Sequence, residues 1–126
     1  MPIAQQLTVT VANRPGALAR IAELLAGNKI NIIGVNSSGP QRRIRLLVNN
    51  TGKASRVLRA AGVRARVDGV VVVTLGDRPG TLARTARKLA RRKININYTY
   101  GTVARGGKRA AIVFGVANPR RAQRVL

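Results

Sequence analysis

The chain has 126 residues and a formal net charge of +21, from 24 Lys and Arg against three acidic residues, with 45 % apolar but only 2 % aromatic side chains. It contains no cysteine and no histidine, which excludes disulfides, zinc–thiolate centres and imidazole catalysis. No apolar run approaches the ~18 residues of a membrane-spanning helix, so no membrane partner is expected.

Leu7, Val9 and Val11 alternate with polar residues, the period of a half-buried strand. Asn13-Arg14-Pro15-Gly16 interrupts it. Asn is a favoured helix N-cap and Pro fits the first helical turn, so a helix is expected with Asn13 as its cap. Leu18, Ile21, Ala22 and Leu25 follow at helical spacing, and Gly27-Asn28 offers a left-handed stop. Ile30 to Val35 reads as a second strand, Ser37 to Gln41 as a turn, and Ile44, Leu46 and Val48 as a third strand. Asn50-Thr51 caps a helix bearing Ala54, Val57, Leu58 and Ala61, closed by Gly62 before a fourth strand, Val63 to Val67. This order is the ferredoxin-like βαββαβ arrangement.

Asp68-Gly69 is a two-residue hairpin signal and is expected to turn the chain into a second unit. That unit opens with Val70 to Leu75, followed by a helix on Leu82, Ala86 and Leu89. A strand from Ile94 to Thr102, a turn at Arg105 to Lys108 and a strand from Ala110 to Val116 come next. Asn118-Pro119 starts a last helix with Ala122, Val125 and Leu126. The expected fold is α+β, two tandem ferredoxin-like units over residues 1–68 and 69–126, the second lacking its last strand. An unpaired Val70–Leu75 edge would be a pairing site. Either Val63–Val67 folds back on it, giving a shared strand, or a homodimer covers it.

The two units share a sequence. Asn13-Arg-Pro-Gly16-Ala-Leu-Ala-Arg20 returns as Asp77-Arg-Pro-Gly80-Thr-Leu-Ala-Arg84, and Lys29-Ile-Asn31-Ile returns as Lys93-Ile-Asn95-Ile, each offset by 64 positions. A fixed period marks two copies of one structural unit. With this strand order, the doubled motif resembles tandem ACT domains. The resemblance is close to the serine-sensing regulatory domain of phosphoglycerate dehydrogenase and to stand-alone double-ACT proteins, whose Ile-Asn-Ile-x-Tyr-x-Tyr strand is matched by Ile94 to Tyr100. It implies a non-catalytic sensor that binds a small amino acid at an interface between ACT domains. Where the serine-sensing domain carries a ligand-contacting histidine two residues before the loop Asn, this chain has Val11.

The loops have a chemistry of their own. The first amides of a helix lack internal partners, and with the helix dipole they can cradle a carboxylate. Gly16 and Gly80 allow a ligand close to the backbone. The side-chain oxygens of Asn13, Asp77, Asn31 or Asn95 offer acceptors for an ammonium group. The candidate ligand-binding residues are therefore Asn13, Gly16, Ala17 and Asn31 in one copy and Asp77, Gly80, Thr81 and Asn95 in the other. Asn13 and Asp77 also fit a plain capping role, and Tyr98 and Tyr100 fit sheet packing.

A second feature competes. Arg84, Arg87, Lys88, Arg91 and Arg92 fall on one helix face, and Arg120, Arg121 and Arg124 follow on the last helix. Like charges at this spacing repel, and nucleic acid or another polyanion would offset that through counterion release. A solvated face, or a coding bias towards Arg, explains the same residues. With three carboxylates and no nucleophile–base pair in sight, no enzyme activity and no cofactor are expected. The first residues lack the regions of a signal peptide, so the expected location is cytoplasmic.

Overall fold

A computed structural model describes residues 3–38, 42–103 and 108–126. The elements run β1 (Ile3–Thr10), α1 (Ala17–Gly27), β2 (Ile32–Ser38), β3 (Arg43–Val48), α2 (Thr51–Ala60), β4 (Arg64–Gly76), α3 (Thr81–Arg91), β5 (Tyr98–Val103), β6 (Arg109–Gly115) and α4 (Pro119–Val125). They form two compact units of the α+β, ferredoxin-like kind. One is Gln5–Asp68; the other is Gly69–Leu126, with which Ile3 and Ala4 group. The predicted turn at Ser37 to Gln41 lies partly outside the described residues, and so does most of the one at Arg105 to Lys108.

In the first unit the strand order is β2-β3-β1-β4. Leu7 pairs with Leu46 and Val9 with Ile44. These four are at most 1 % exposed and pack with Ile21, Leu25, Ala54 and Leu58 beneath the helices. Burying each such aliphatic side chain contributes about 1.5–3 kcal/mol. The alternate residues, Thr8 opposite Arg45 and Thr10 opposite Arg43, belong to the other sheet face. In the second unit β4-β6-β5 are neighbours. Val71, Val73, Leu89, Phe114 and Ala122 form its core. Tyr98 pairs with Gly115 and lays its ring over that glycine, so this tyrosine packs on the sheet.

The three long helices that open into strands stop in one way. Lys29, Gly62 and Lys93 take positive φ values of 60°, 78° and 58°. The next residue's amide reaches back to the helix: Ile30 to Leu25 O at 3.0 Å, Val63 to Leu58 O at 2.9 Å, Ile94 to Leu89 O at 3.0 Å. These are Schellman stops. The left-handed residue is Lys29, not the Gly27-Asn28 pair the sequence suggested. Because Ile30 and Ile94 are held by the helix ends, β2 and β5 begin later than their apolar runs predict, at Ile32 and Tyr98. Asn50 and Asn118 do cap α2 and α4, accepting from the amides of Lys53 at 3.1 Å and Arg121 at 3.2 Å.

The predicted hairpin at Asp68-Gly69 does not form. β4 runs through it for 13 residues, and neither Asp68 nor Gly69 has the positive φ of a tight hairpin turn. Asp68 is instead tied down: its carboxylate accepts from Thr8 Oγ1 at 2.7 Å and Arg66 Nε at 2.9 Å. Val63–Val67 therefore does not fold back on Val70–Leu75. Ile3, at the head of β1, lies beside Gly69, and β1 is the neighbour of β4. Ile3 thus stands beside the Gly69 part of β4.

Candidate functional site

Both loops between first strand and first helix have one geometry. In the first, Arg14 N donates to Ala12 O at 3.0 Å, Ala17 N to Arg14 O at 3.3 Å and Arg20 N to Gly16 O at 2.9 Å. In the second, Arg78 N donates to Gly76 O at 3.0 Å, Thr81 N to Arg78 O at 3.4 Å and Arg84 N to Gly80 O at 3.0 Å. The helix N-cap is Gly16 at φ 89° and Gly80 at φ 91°, with no side-chain cap on either helix. Asn13 and Asp77 are thus not the predicted caps. They sit three residues earlier, exposed, because the Pro-Gly turn moves the helix start past them.

The consequence is chemical. With no side-chain cap hydrogen bond on α1 or α3, the first-turn amides that follow Ala17 and Thr81 can receive a ligand carboxylate. Gly16 and Ala17 line two clefts of the first unit. One, of about 220 Å³, also has Asn13, Ser37, Ser38 and Arg43 in its wall. The other, of about 380 Å³, includes Arg14, Arg20 and Gly62. The loops then differ in accessibility. A Cβ on Gly16 would meet nothing within 4 Å, whereas on Gly80 it would lie 2.9 Å from the Arg84 guanidinium. Thr81 braces its own loop, with Oγ1 2.8 Å from Gly76 O and 3.1 Å from Arg78 O.

Asn31 and Asn95 are exposed and lie ahead of β2 and β5. Asn31 exchanges bonds with Asn49, which follows β3, while the Asn13 loop is bonded at the other end of that strand through Val11 N to Arg42 O, 2.9 Å. Across the six residues of β3 this is about 20 Å. The second unit repeats the arrangement. Asp77 N reaches Lys108 O at 2.9 Å, before β6, and Asn97 N reaches Gly115 O at 2.8 Å, at its end. Asn95 Nδ2 donates to Asn97 Oδ1 at 3.0 Å. No single unit brings its loop Asn or Asp together with its downstream Asn.

The basic stripe is present on α3, where Arg84, Arg87, Lys88 and Arg91 line a surface cleft of about 410 Å³. Arg121 is engaged within its own unit, where its guanidinium donates to Arg92 O, at the end of α3, at 2.6 Å, the favourable place for a cation on a helix. Arg120 and Arg124 are exposed on α4. Sequence reading missed a further basic cluster in the first unit, where Thr8, Thr10, Arg42, Arg43, Arg59, Arg64 and Arg66 line a cleft of about 670 Å³. Its residues come from separate elements, so only the strand register could have revealed it. Among the described residues there is no cluster of metal-ligating side chains and no helix long and apolar enough to cross a membrane.

Two ferredoxin-like units with matching, uncapped strand-to-helix loops define a tandem small-domain protein. The ACT domain pair family matches residues 1–126, and the chain belongs to it. No match is found among curated proteins. Among solved structures the chain is similar to protein BT0572 from Bacteroides thetaiotaomicron, with 26 % identity, a TM-score of 0.88, and 98 % of this chain and 86 % of that one covered. It is also similar to the regulatory subunit of aspartate kinase from Thermus flavus, with 15 % identity, a TM-score of 0.69 and coverage of 98 % and 91 %. E. coli aspartokinase III, solved in complex with lysine and aspartate, matches with 16 % identity and a TM-score of 0.61; 98 % of this chain spans 29 % of that one.

The glycines make a local prediction. Gly16→Ala has free space around it but a positive φ, so it should cost about 1–2 kcal/mol through the backbone alone. Gly27→Ala, helical and also unobstructed, should gain up to about 1 kcal/mol. Urea unfolding of both variants checks the order; an equal or reversed ranking contradicts the left-handed assignment.

Proposed function

We propose that the chain is a non-catalytic regulatory module that binds a small amino acid through the Asn13–Ala17 and Asp77–Thr81 loops. The ligand carboxylate takes the amides of the first helical turn that follow Ala17 or Thr81, whose own amides already donate to Arg14 O and Arg78 O, and its ammonium group takes the oxygen of Asn13 or Asp77. Since each downstream Asn lies at the far end of its own unit, Asn31 and Asn95 serve a ligand only from a facing ACT domain. A homodimer supplies that surface. The observation that carries the reading is the doubled glycine N-cap, at φ 89° and 91°, with no side-chain cap hydrogen bond on either helix. The ACT resemblance and the lysine- and aspartate-bound neighbour support an amino acid as the ligand class.

A thermal-shift screen of the twenty amino acids tests this reading. A ligand of the folded state present at 100 times its Kd should add about 2.7 kcal/mol and raise the midpoint. A flat response to all twenty would rule the module out as an amino-acid sensor. Mass measurement in dilute solution should return a dimer; a monomer that still binds would remove the facing-domain part.

A further inference from the structure

The five-arginine cleft of the first unit adjoins the clefts beside the Gly16 loop but contains no residue of that loop. Thr8 and Thr10 of β1 lie opposite Arg45 and Arg43 of β3, on the sheet face away from the helices. Arg64 and Arg66 flank Ala65 at the start of β4, and Ala65 and the preceding Val63 pack in the core. Arg42 precedes β3 with a positive φ of 52°. Arg59 comes from α2, its guanidinium held by Ala65 O through Nε at 3.4 Å and a terminal nitrogen at 3.2 Å. The carboxylate nearest the group, Asp68, is already shared by Arg66 and Thr8. No acidic residue stands among those lining the cleft. Arg42, Arg43, Arg59 and Arg64 therefore converge on about 670 Å³ with no carboxylate in its wall.

Such a wall focuses positive potential into the cleft. Guanidinium groups match phosphate oxygens in bidentate geometry, and the Thr10 hydroxyl adds a donor at the rim. The volume lies within the range of small-molecule sites, about 300–1,000 Å³, and Val63 and Ala65 give one side an apolar surface. We propose that this cleft is a second binding site, for a small molecule carrying linked phosphates, a nucleoside polyphosphate or an inorganic polyphosphate. It goes beyond the amino-acid site and uses no residue of the Asn13–Ala17 loop itself, although Thr10, Val63 and Arg64 and also Arg42 and Arg43 are shared with the walls of the two clefts beside that loop.

The test is calorimetric titration of the full chain with ATP and with inorganic tripolyphosphate, at about 0.15 M salt so that loose surface attraction is screened. Saturable binding of one molecule per chain is expected. Arg43→Gln combined with Arg64→Gln should weaken it at least about tenfold, as the loss of charged hydrogen bonds implies. Arg56→Gln combined with Arg109→Gln removes the same charge from exposed positions elsewhere and should leave affinity within about twofold. Tighter binding of ATP than of tripolyphosphate assigns the Val63–Ala65 wall to the organic part; equal binding assigns the site to the phosphate chain alone. No saturation, equal weakening in both variants, or binding of a single-stranded oligonucleotide only would overturn the proposal. If the Arg43/Arg64 variant does not fold, amide shift mapping of the wild-type chain with tripolyphosphate decides. Shifts at Thr8, Thr10, Arg43 and Arg64–Arg66 support the site, and shifts confined to other residues overturn it.

Discussion

Phe114→Ala should destabilise the protein by about 3–5 kcal/mol, among the largest losses a single substitution can produce here. Phe114 is the only phenylalanine in the chain, is 1 % exposed and pairs across the sheet with Val71. It packs with Leu89 and Ala122 from the two helices of its unit. With 2 % aromatic content no other side chain of comparable volume stands ready to fill the gap. The position matters for function because this core holds α3 on the sheet, and the head of α3 carries the Gly80 loop. Chemical unfolding followed by circular dichroism measures the loss; a cost below about 1.5 kcal/mol would mean that the core relaxes around the hole.

Leu25→Ala in the first unit and Leu89→Ala in the second should each cost about 2–5 kcal/mol, and by similar amounts. The two residues are 64 positions apart, both fully buried, and both lend their carbonyl to the Schellman stop, to Ile30 and Ile94. Each ties the far end of a helix to the core, so that its near end, with Gly16 or Gly80, keeps its direction. Midpoints from urea melts of the two variants should fall together. A large effect in one and none in the other would show that the copies are not held by equivalent cores.

Much of this was legible in the residues. The 64-residue repeat, the alternating strands and the Asn50 and Asn118 caps follow from local chemistry, and the structure has them. The misses have physical causes. Asp68-Gly69 has hairpin composition, but the choice between turn and strand fell to a tertiary bond, Thr8 to Asp68, which no window around residue 68 contains. Asn13 and Asp77 look like caps because Asn and Asp usually are; the Pro-Gly pair behind them supplies a left-handed residue that starts the helix later. The lysines at 29 and 93 take a conformation that ordinarily favours Gly or Asn, and the one sequence hint was their repetition ahead of Ile-Asn-Ile. The arginine cleft was invisible because Arg42, Arg59 and Arg64 meet only once β1, β3 and β4 are in register.

The measurement that bears most directly on the amino-acid site is calorimetric titration of the wild-type chain and of Asn13→Ala combined with Asp77→Ala. Both side chains are exposed and neither caps a helix, so the double variant should stay folded within about 0.5 kcal/mol. The expected result is saturable binding of a small amino acid to the wild type, weakened at least about tenfold in the variant, since a charged hydrogen bond is lost. Unchanged affinity in the variant, or no binding of any amino acid to the wild type, would contradict the assignment of these loops as the ligand site.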